Sequence, residues 1–272
     1  MNTHWTQNDV LVNGIKLHYT RTGHGDKPPL VLVHGFSDNG LLWTPTARDL
    51  ESEYDVIMPD MRGHGLSARV QPNENVDMAA DVAELIRTLG IERPIIGGHS
   101  MGAMAAYQVG LRFPELASAI FLEDPAWLIS PPDPVPPAEH PIVIWAKSLP
   151  HKTMEALLAE YHQDHPNWSE EMIRLMCQSK TQIDPTIAEI MSARMHAKEW
   201  NWQTTLQDVT QPLLLVTADP ELGAIVTPEV VAKVCQLNPR VTLAHVPDVG
   251  HLIRFDNYVA FMKAVRAFLQ QL

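Results

Sequence analysis

Gly98-His99-Ser100-Met101-Gly102 sets a serine between two glycines, where an apolar strand (Pro94-Ile95-Ile96) gives way to a helical run (Ala103-Met104-Ala105-Ala106-Tyr107). A serine on such a strand-to-helix turn sits on strained backbone with its hydroxyl pushed out above the sheet. The flanking glycines carry no Cβ, so strand and helix can approach closely. The helix N-terminus favours negative charge developing beside the serine. The chemistry implied is attack by the Ser100 hydroxyl on a carbonyl carbon.

A hydroxyl is a weak nucleophile at neutral pH and needs a base. With a serine on this kind of turn, the acid and then the histidine follow in chain order. Gly250-His251 follows a strand expected over 241–246, and Asp219 follows one expected over 213–216. Ser100, Asp219 and His251 are therefore the expected triad. Asp219 would hold the imidazole in the right tautomer and stabilise the imidazolium. His245 competes with His251 but lies inside a strand. Asp219 has competitors too: Glu221 lies nearby, and Glu123-Asp124 follows the strand at 119–122. Glu123 is the alternative acid; if Asp219 is the acid, Glu123 and Asp124 instead anchor the segment that follows.

Acyl transfer also needs two donors aimed at the oxyanion. The N–H of Met101, next to the nucleophile, is one. The other is expected from His34-Gly35-Phe36-Ser37 after the strand at 30–33, with the Phe36 N–H as candidate. Trp127, Trp145 and Met104 are candidate pocket residues, with Met101 and Phe36 contributing side chains.

These groups need a scaffold. Asp9–Val12 and Ile15–Tyr19 read as a hairpin around Asn13-Gly14. Short apolar strands are expected at 30–33, 54–58, 94–96, 119–122, 213–216 and 241–246. Helices fall between them at 77–89, 103–112, 228–235 and 257–269. Such alternation predicts a largely parallel sheet covered on both faces. After Pro125 the pattern changes. A proline-rich stretch, 131–137, leads into four expected helices at 142–148, 152–162, 169–178 and 185–196, with no strand signal. The expected organisation is a core of residues 1–125 and 206–272, with residues 126–205 inserted as a helical lid. An insertion there would lie over the carboxyl ends of the strands, where open α/β sheets bind ligands.

The chain has 272 residues and a formal net charge of −12. With no Lys/Arg cluster, that balance argues against nucleic acid and anionic membrane surfaces as partners. Cys177 and Cys235 make no disulfide framework. The first residues show no leader pattern, and no apolar run reaches the ~18 residues of a membrane span. A cytoplasmic location is the expectation. His162-Gln163-Asp164-His165 resembles part of a zinc-lactonase motif, but residue 160 is Glu. No metal or cofactor is expected.

Asp60-Met61-Arg62-Gly63-His64-Gly65-Leu66-Ser67, taken with His34-Gly35, the serine turn and Gly250-His251, resembles the signature of the α/β-hydrolase fold from about residue 10 to 270. The resemblance implies a mostly parallel eight-stranded sheet with helices on both faces and a helical lid. It carries over to Ser100, Asp219 and His251. Within that fold, Glu123-Asp124-Pro125-Ala126-Trp127 and Asp219–Val226 resemble small single-domain esterases that open N-acyl-homoserine lactones. The expected activity is metal-independent serine hydrolysis of carboxylic esters or lactones, and the expected biological role is quorum quenching. Other carboxylesterase, C–C hydrolase or perhydrolase chemistry on the same triad is the alternative. A slow-turnover, receptor-like binder is a second one.

Overall fold

The hairpin forms as its turn residues dictate. Strands β1 (Thr6–Val12) and β2 (Ile15–Arg21) pair antiparallel with Val12 opposite Ile15. Asn13 and Gly14 both take positive φ, 48° and 80°. That is the two-residue turn whose twist matches the flanking strands. The computed structural model describes residues 5–72, 74–130, 133, 135–194 and 201–272. Pro131, Pro132 and Pro134, the end of the last expected lid helix (His196) and Trp200 lie outside the described residues.

Six further strands follow: β3 (Pro29–Val33), β4 (Asp55–Pro59), β5 (Ile95–His99), β6 (Ala119–Glu123), β7 (Leu213–Thr217) and β8 (Thr242–His245). The sheet order is β1-β2-β4-β3-β5-β6-β7-β8. Only the β1–β2 and β2–β4 pairings are antiparallel. The central parallel strands are buried and almost wholly apolar, as strands covered on both faces must be. Their alternation divides the interior into two cores. Val31, Val33, Ile120, Leu122, Leu213 and Leu215 pack beneath α2 (Met78–Thr88), α3 (Met101–Arg112) and α9 (Pro228–Leu237). Leu30, Leu32, Phe121, Leu214 and Val216 pack against α1 (Thr44–Leu50) and α11 (Tyr258–Leu269). The β8 edge strand alternates half-buried and exposed residues. Helix α1 carries no expectation from the sequence: it is seven residues long and has proline in its first turn.

Asp60–Ser67 ties the end of β4 to its neighbours. Asp60 accepts from the Gly40 and Leu66 N–H groups at 2.7 and 2.8 Å. The Ser67 hydroxyl donates to Asp60 O and accepts from His18 N. Arg62 is buried and doubly bonded to Asp81 on α2, at 2.5 and 2.6 Å.

Between β6 and β7 the chain forms α4 (Pro141–Ser148), α5 (Met154–Asp164), α6 (Glu170–Thr181), α7 (Thr186–Arg194) and α8 (Trp202–Thr205). Leu157, Ile173, Cys177 and Ile187 of this block pack on Val70 and Val76, in the segment after β4. Asp184 N donates to Gly63 O, Val70 N donates to Asp184, and Asn39 donates to Gln182. The block is thus seated on the loops leaving the carboxyl ends of β3 and β4. His162 pairs with Glu170, and His165 stacks on Trp168 with 3.8 Å between ring centroids. Cys177 and Cys235 are both free thiols. No helix among the described residues is long and apolar enough to cross a membrane.

Candidate active site

Ser100 lies between β5 and α3 with φ 51° and ψ −112°. This backbone is one that non-glycine residues avoid. Three contacts hold it there. The Ser100 N–H donates to Glu123 O at 2.9 Å. A Cβ on Gly98 would lie 2.2 Å from Gly102 O, and one on Gly102 would lie 2.2 Å from Val33 O and 2.5 Å from His34 O. Strand β5, helix α3 and the end of β3 therefore meet where only glycine fits, and the serine is fixed at the crossing.

The two candidate oxyanion donors sit on either side of that crossing. Met101 opens α3, so its N–H has no intrahelical acceptor and lies at the positive end of the helix dipole. Phe36 lies in the turn after β3, and no hydrogen bond engages its N–H among the described residues. Ser37 follows at φ 65°, and Asp38 N closes the turn on Gly35 O. His34 anchors the turn from below. Its Nε2 accepts from Met61 N at 2.9 Å, so Nδ1 carries the proton and donates to Gly35 O at 2.7 Å. That pairing requires a neutral ring, and burial pushes the His34 pKa down.

His251 comes from the loop after β8. Its backbone carbonyl accepts from His99 Nε2 at 3.0 Å, and the two rings are 4.7 Å apart. The base candidate thus lies against the residue preceding Ser100. The carboxylate on His251 Nδ1 is Asp124, with Oδ2 at 2.6 Å. Asp124 is fully buried and directly follows β6, at φ 42°. Its carboxylate also accepts from Ile225 N at 2.8 Å and Val226 N at 2.9 Å.

This placement corrects the expected acid. Asp219 does follow β7, but its carboxylate accepts from Asp248 N at 2.7 Å and pairs with His245 Nε2 at 2.9 Å. His245 in turn contacts Thr217 through Nδ1. Asp219 therefore braces the loop carrying His251 and does not touch the imidazole. Glu123 is not the partner either. It is buried and bound to Arg254, through Nη1 at 2.7 Å and the backbone N–H at 2.8 Å. The physical reason lies in the register. Glu123 pairs with Val216, and Asp124 N donates to Val216 O, so the ladder runs one residue past β6. The chain then turns at Asp124 and aims the carboxylate toward His251. Asp124 belongs to the competing Glu123-Asp124 pair, of which sequence reasoning named Glu123 as the alternative acid. The usable signal was an acidic residue immediately after an apolar strand and before Pro125.

The pocket candidates divide. Phe36 and Trp145 are partly exposed, with ring centroids 6.2 Å apart. Trp127, in contrast, is fully buried, stacked on Trp202 at 5.1 Å and edge-on to Tyr107. Its flat ring closes the core beneath the helical block and has no accessible face for a ligand. Met104 and Met101 are also buried, on the inner side of α3.

Three buried histidines surround the site: His34, His64 and His99. Burial pushes each pKa below the ordinary 6.5, that of His64 down to about 3. The unfolded chain takes up protons on these rings near the ordinary value, and the folded chain does not. With folded values depressed, stability is complete above about pH 6.5 and is lost as pH falls toward the folded values, by up to about 1.4 kcal/mol per pH unit for each ring. Asp38, also held low, adds a loss of the same sign at more acidic pH. Urea midpoints are expected to hold from about pH 7.5 to about pH 6.5 and then to fall steadily to about pH 5. A midpoint constant over that span would contradict the buried neutral rings.

A family profile described as alpha/beta hydrolase fold matches residues 28–258. The chain is 28% identical over 275 aligned residues to N-formylmaleamate deformylase of Pseudomonas putida, covering 99% of this chain and 98% of that protein. It is 27% identical to 2-(acetamidomethylene)succinate hydrolase of Mesorhizobium japonicum, covering 98% and 96%. The crystal structure of an E-2-(acetamidomethylene)succinate hydrolase superposes with a TM-score of 0.78 at 23% identity, over 98% of this chain and 100% of that one. On the profile match, supported by the eight-stranded sheet, the chain belongs to the α/β-hydrolase-fold family.

Proposed function

We propose that this α/β hydrolase cleaves carboxylic esters and lactones through a covalent acyl-serine. The observation that carries the reading is the 2.6 Å contact between His251 Nδ1 and the buried Asp124 carboxylate, in a loop packed against the strained serine turn. Asp124 holds the proton on Nδ1 and leaves His251 Nε2 as the base. As the Ser100 oxygen attacks the carbonyl carbon, its proton passes to Nε2. The Phe36 and Met101 N–H groups stabilise the oxyanion. The imidazolium then protonates the leaving alcohol, and the C–O bond breaks. Water, deprotonated by the same histidine, releases the acid and restores Ser100. In a lactone the leaving alcohol stays tethered, and ring opening gives a single hydroxy acid.

N-acyl-homoserine lactones are the favoured substrate class. Two features support an uncharged acyl group. The partly exposed faces beside the candidate oxyanion loop, Phe36 and Trp145, are aromatic. The buried cations behind that loop, Lys180 and Arg254, are already engaged by Asp38 and Glu123. The helical block would act as the lid over this site. The second reading is cleavage of a small N-formyl or N-acetyl amide. It is favoured by the two relatives that match over nearly their whole length and whose names specify such substrates.

The test is hydrolysis of three substrates in parallel, with and without a chelator: a p-nitrophenyl butanoate, a medium-chain N-acyl-homoserine lactone and N-formylmaleamate. Chelator-insensitive turnover of the first two is expected. Turnover of the formyl amide alone would transfer the function to C–N cleavage on the same residues.

A further inference from the structure

Lys180 is a buried lysine far in sequence from every residue named in the mechanism. It lies in the last turn of α6, in the helical block. Its ammonium donates to Ser37 Oγ at 2.8 Å, to Asp38 Oδ1 at 2.9 Å and to Ser37 O at 3.4 Å. Both Lys180 and Asp38 are at least 95% buried. Burial alone would push the Asp38 pKa up, but Lys180, with His99 and Arg254, holds the carboxyl far below its ordinary value. All three ammonium hydrogens thus have acceptors on one turn.

That turn is the one beside the candidate oxyanion donor. Phe36 directly precedes Ser37, and Ser37 has a left-handed backbone at φ 65° that a serine does not adopt unaided. Gly35 is pressed against His99: a Cβ there would lie 2.6 Å from His99 Nδ1 and 3.1 Å from Asp38 Oδ2. The strained turn is therefore clamped from two sides. The core clamps it through His99, and the helical block clamps it through Lys180.

We infer that Lys180 is a positioning residue for the oxyanion donor, fixing the Phe36–Asp38 turn from the helical block so that the Phe36 N–H is aimed before substrate arrives. This rests on the serine-hydrolase reading above. It makes seating of the block a condition for chemistry as well as for substrate enclosure. Without the ammonium, the Ser37 backbone has no partner from that side and can relax toward negative φ. The Phe36 peptide rotates with it, and an oxyanion donor loses its aim.

Lys180→Met alone strands the buried Asp38 charge and can unfold the chain, so the decisive variant is Lys180→Met with Asp38→Asn, which removes both charges together. The readouts are kcat and KM for p-nitrophenyl butanoate, and the inhibition constant of an alkyl trifluoromethyl ketone, whose serine adduct carries a tetrahedral oxyanion. In the folded double variant kcat should fall about a hundredfold with KM within about threefold. Ketone affinity should weaken by a factor similar to that in kcat. A folded double variant with unchanged kcat and ketone affinity overturns the inference, and so does one that raises only KM. A wild-type chain that neither hydrolyses the ester nor binds the ketone overturns the hydrolase reading, and this inference with it.

Discussion

Asp124→Asn is expected to lower ester turnover about ten-thousandfold while leaving the chain folded. The carboxylate takes three donors at once: His251 Nδ1, Ile225 N and Val226 N. An amide of the same shape offers one acceptor atom and one donor atom. Ile225 N and His251 Nδ1 share Oδ2, and Val226 N takes Oδ1. With the amide oxygen on Val226 N, the NH2 faces Nδ1 and drives the imidazole proton to Nε2, where the base must be empty. With the amide reversed, the NH2 meets the Val226 N–H, and in either orientation the charge that stabilises the imidazolium is gone. Asp219→Asn removes a brace on Asp248 N and a contact to half-exposed His245. A lost hydrogen bond at a partly exposed site is worth about 1 kcal/mol, so turnover should stay within about fivefold. Steady-state kinetics on the two variants decide the matter. A collapse in Asp219→Asn with near-normal Asp124→Asn would return the acid to the loop after β7.

Ser100 carries the second large effect. Ser100→Ala should reduce turnover by about a millionfold, read as loss of both ester hydrolysis and labelling by a fluorophosphonate. Ser100→Gly should be equally inactive but more stable than the wild type by about 1–3 kcal/mol, because glycine removes the cost of φ 51° and ψ −112°. Alanine keeps that cost. Chemical denaturation of both variants separates strain from chemistry: equal midpoints would mean that the turn stores no strain. Residual turnover in Ser100→Ala near the wild-type rate would end the covalent mechanism.

Much of this was readable from residue types. Asn13-Gly14 fixed the hairpin, the runs of branched apolar residues located the buried strands, and Gly98 and Gly102 announced a crossing too tight for a side chain. Those signals are local, and local backbone preference decides them. The acid was not local. Two carboxylates, Asp124 and Asp219, end neighbouring strands at the same sheet edge. Which one reaches His251 depends on the positive φ at Asp124 and on His245 and Asp248 N having already taken Asp219. Trp127 misled in a similar way. Its place near a strand's carboxyl end suggested a ligand wall, but Trp202, distant in the chain, stacks on it and Tyr107 of α3 meets it edge-on. Lys180 gave no signal at all. A lysine in the last turn of an amphipathic helix reads as a solvated residue, and only the docking of the block onto the turn after β3 buries it.

Besides His251, the carboxylate of Asp124 is steadied by peptide N–H groups, those of Ile225 and Val226. A main-chain donor is present whatever residue occupies the position, proline excepted. The sequence at 225 and 226 can therefore drift under selection for packing alone without loosening the acid. Descendants of this chain could change both side chains, within what the buried site at Val226 can pack, and still hold the acid. An engineer could likewise redesign the partly exposed Ile225 to reshape the neighbouring surface, provided that it does not become proline.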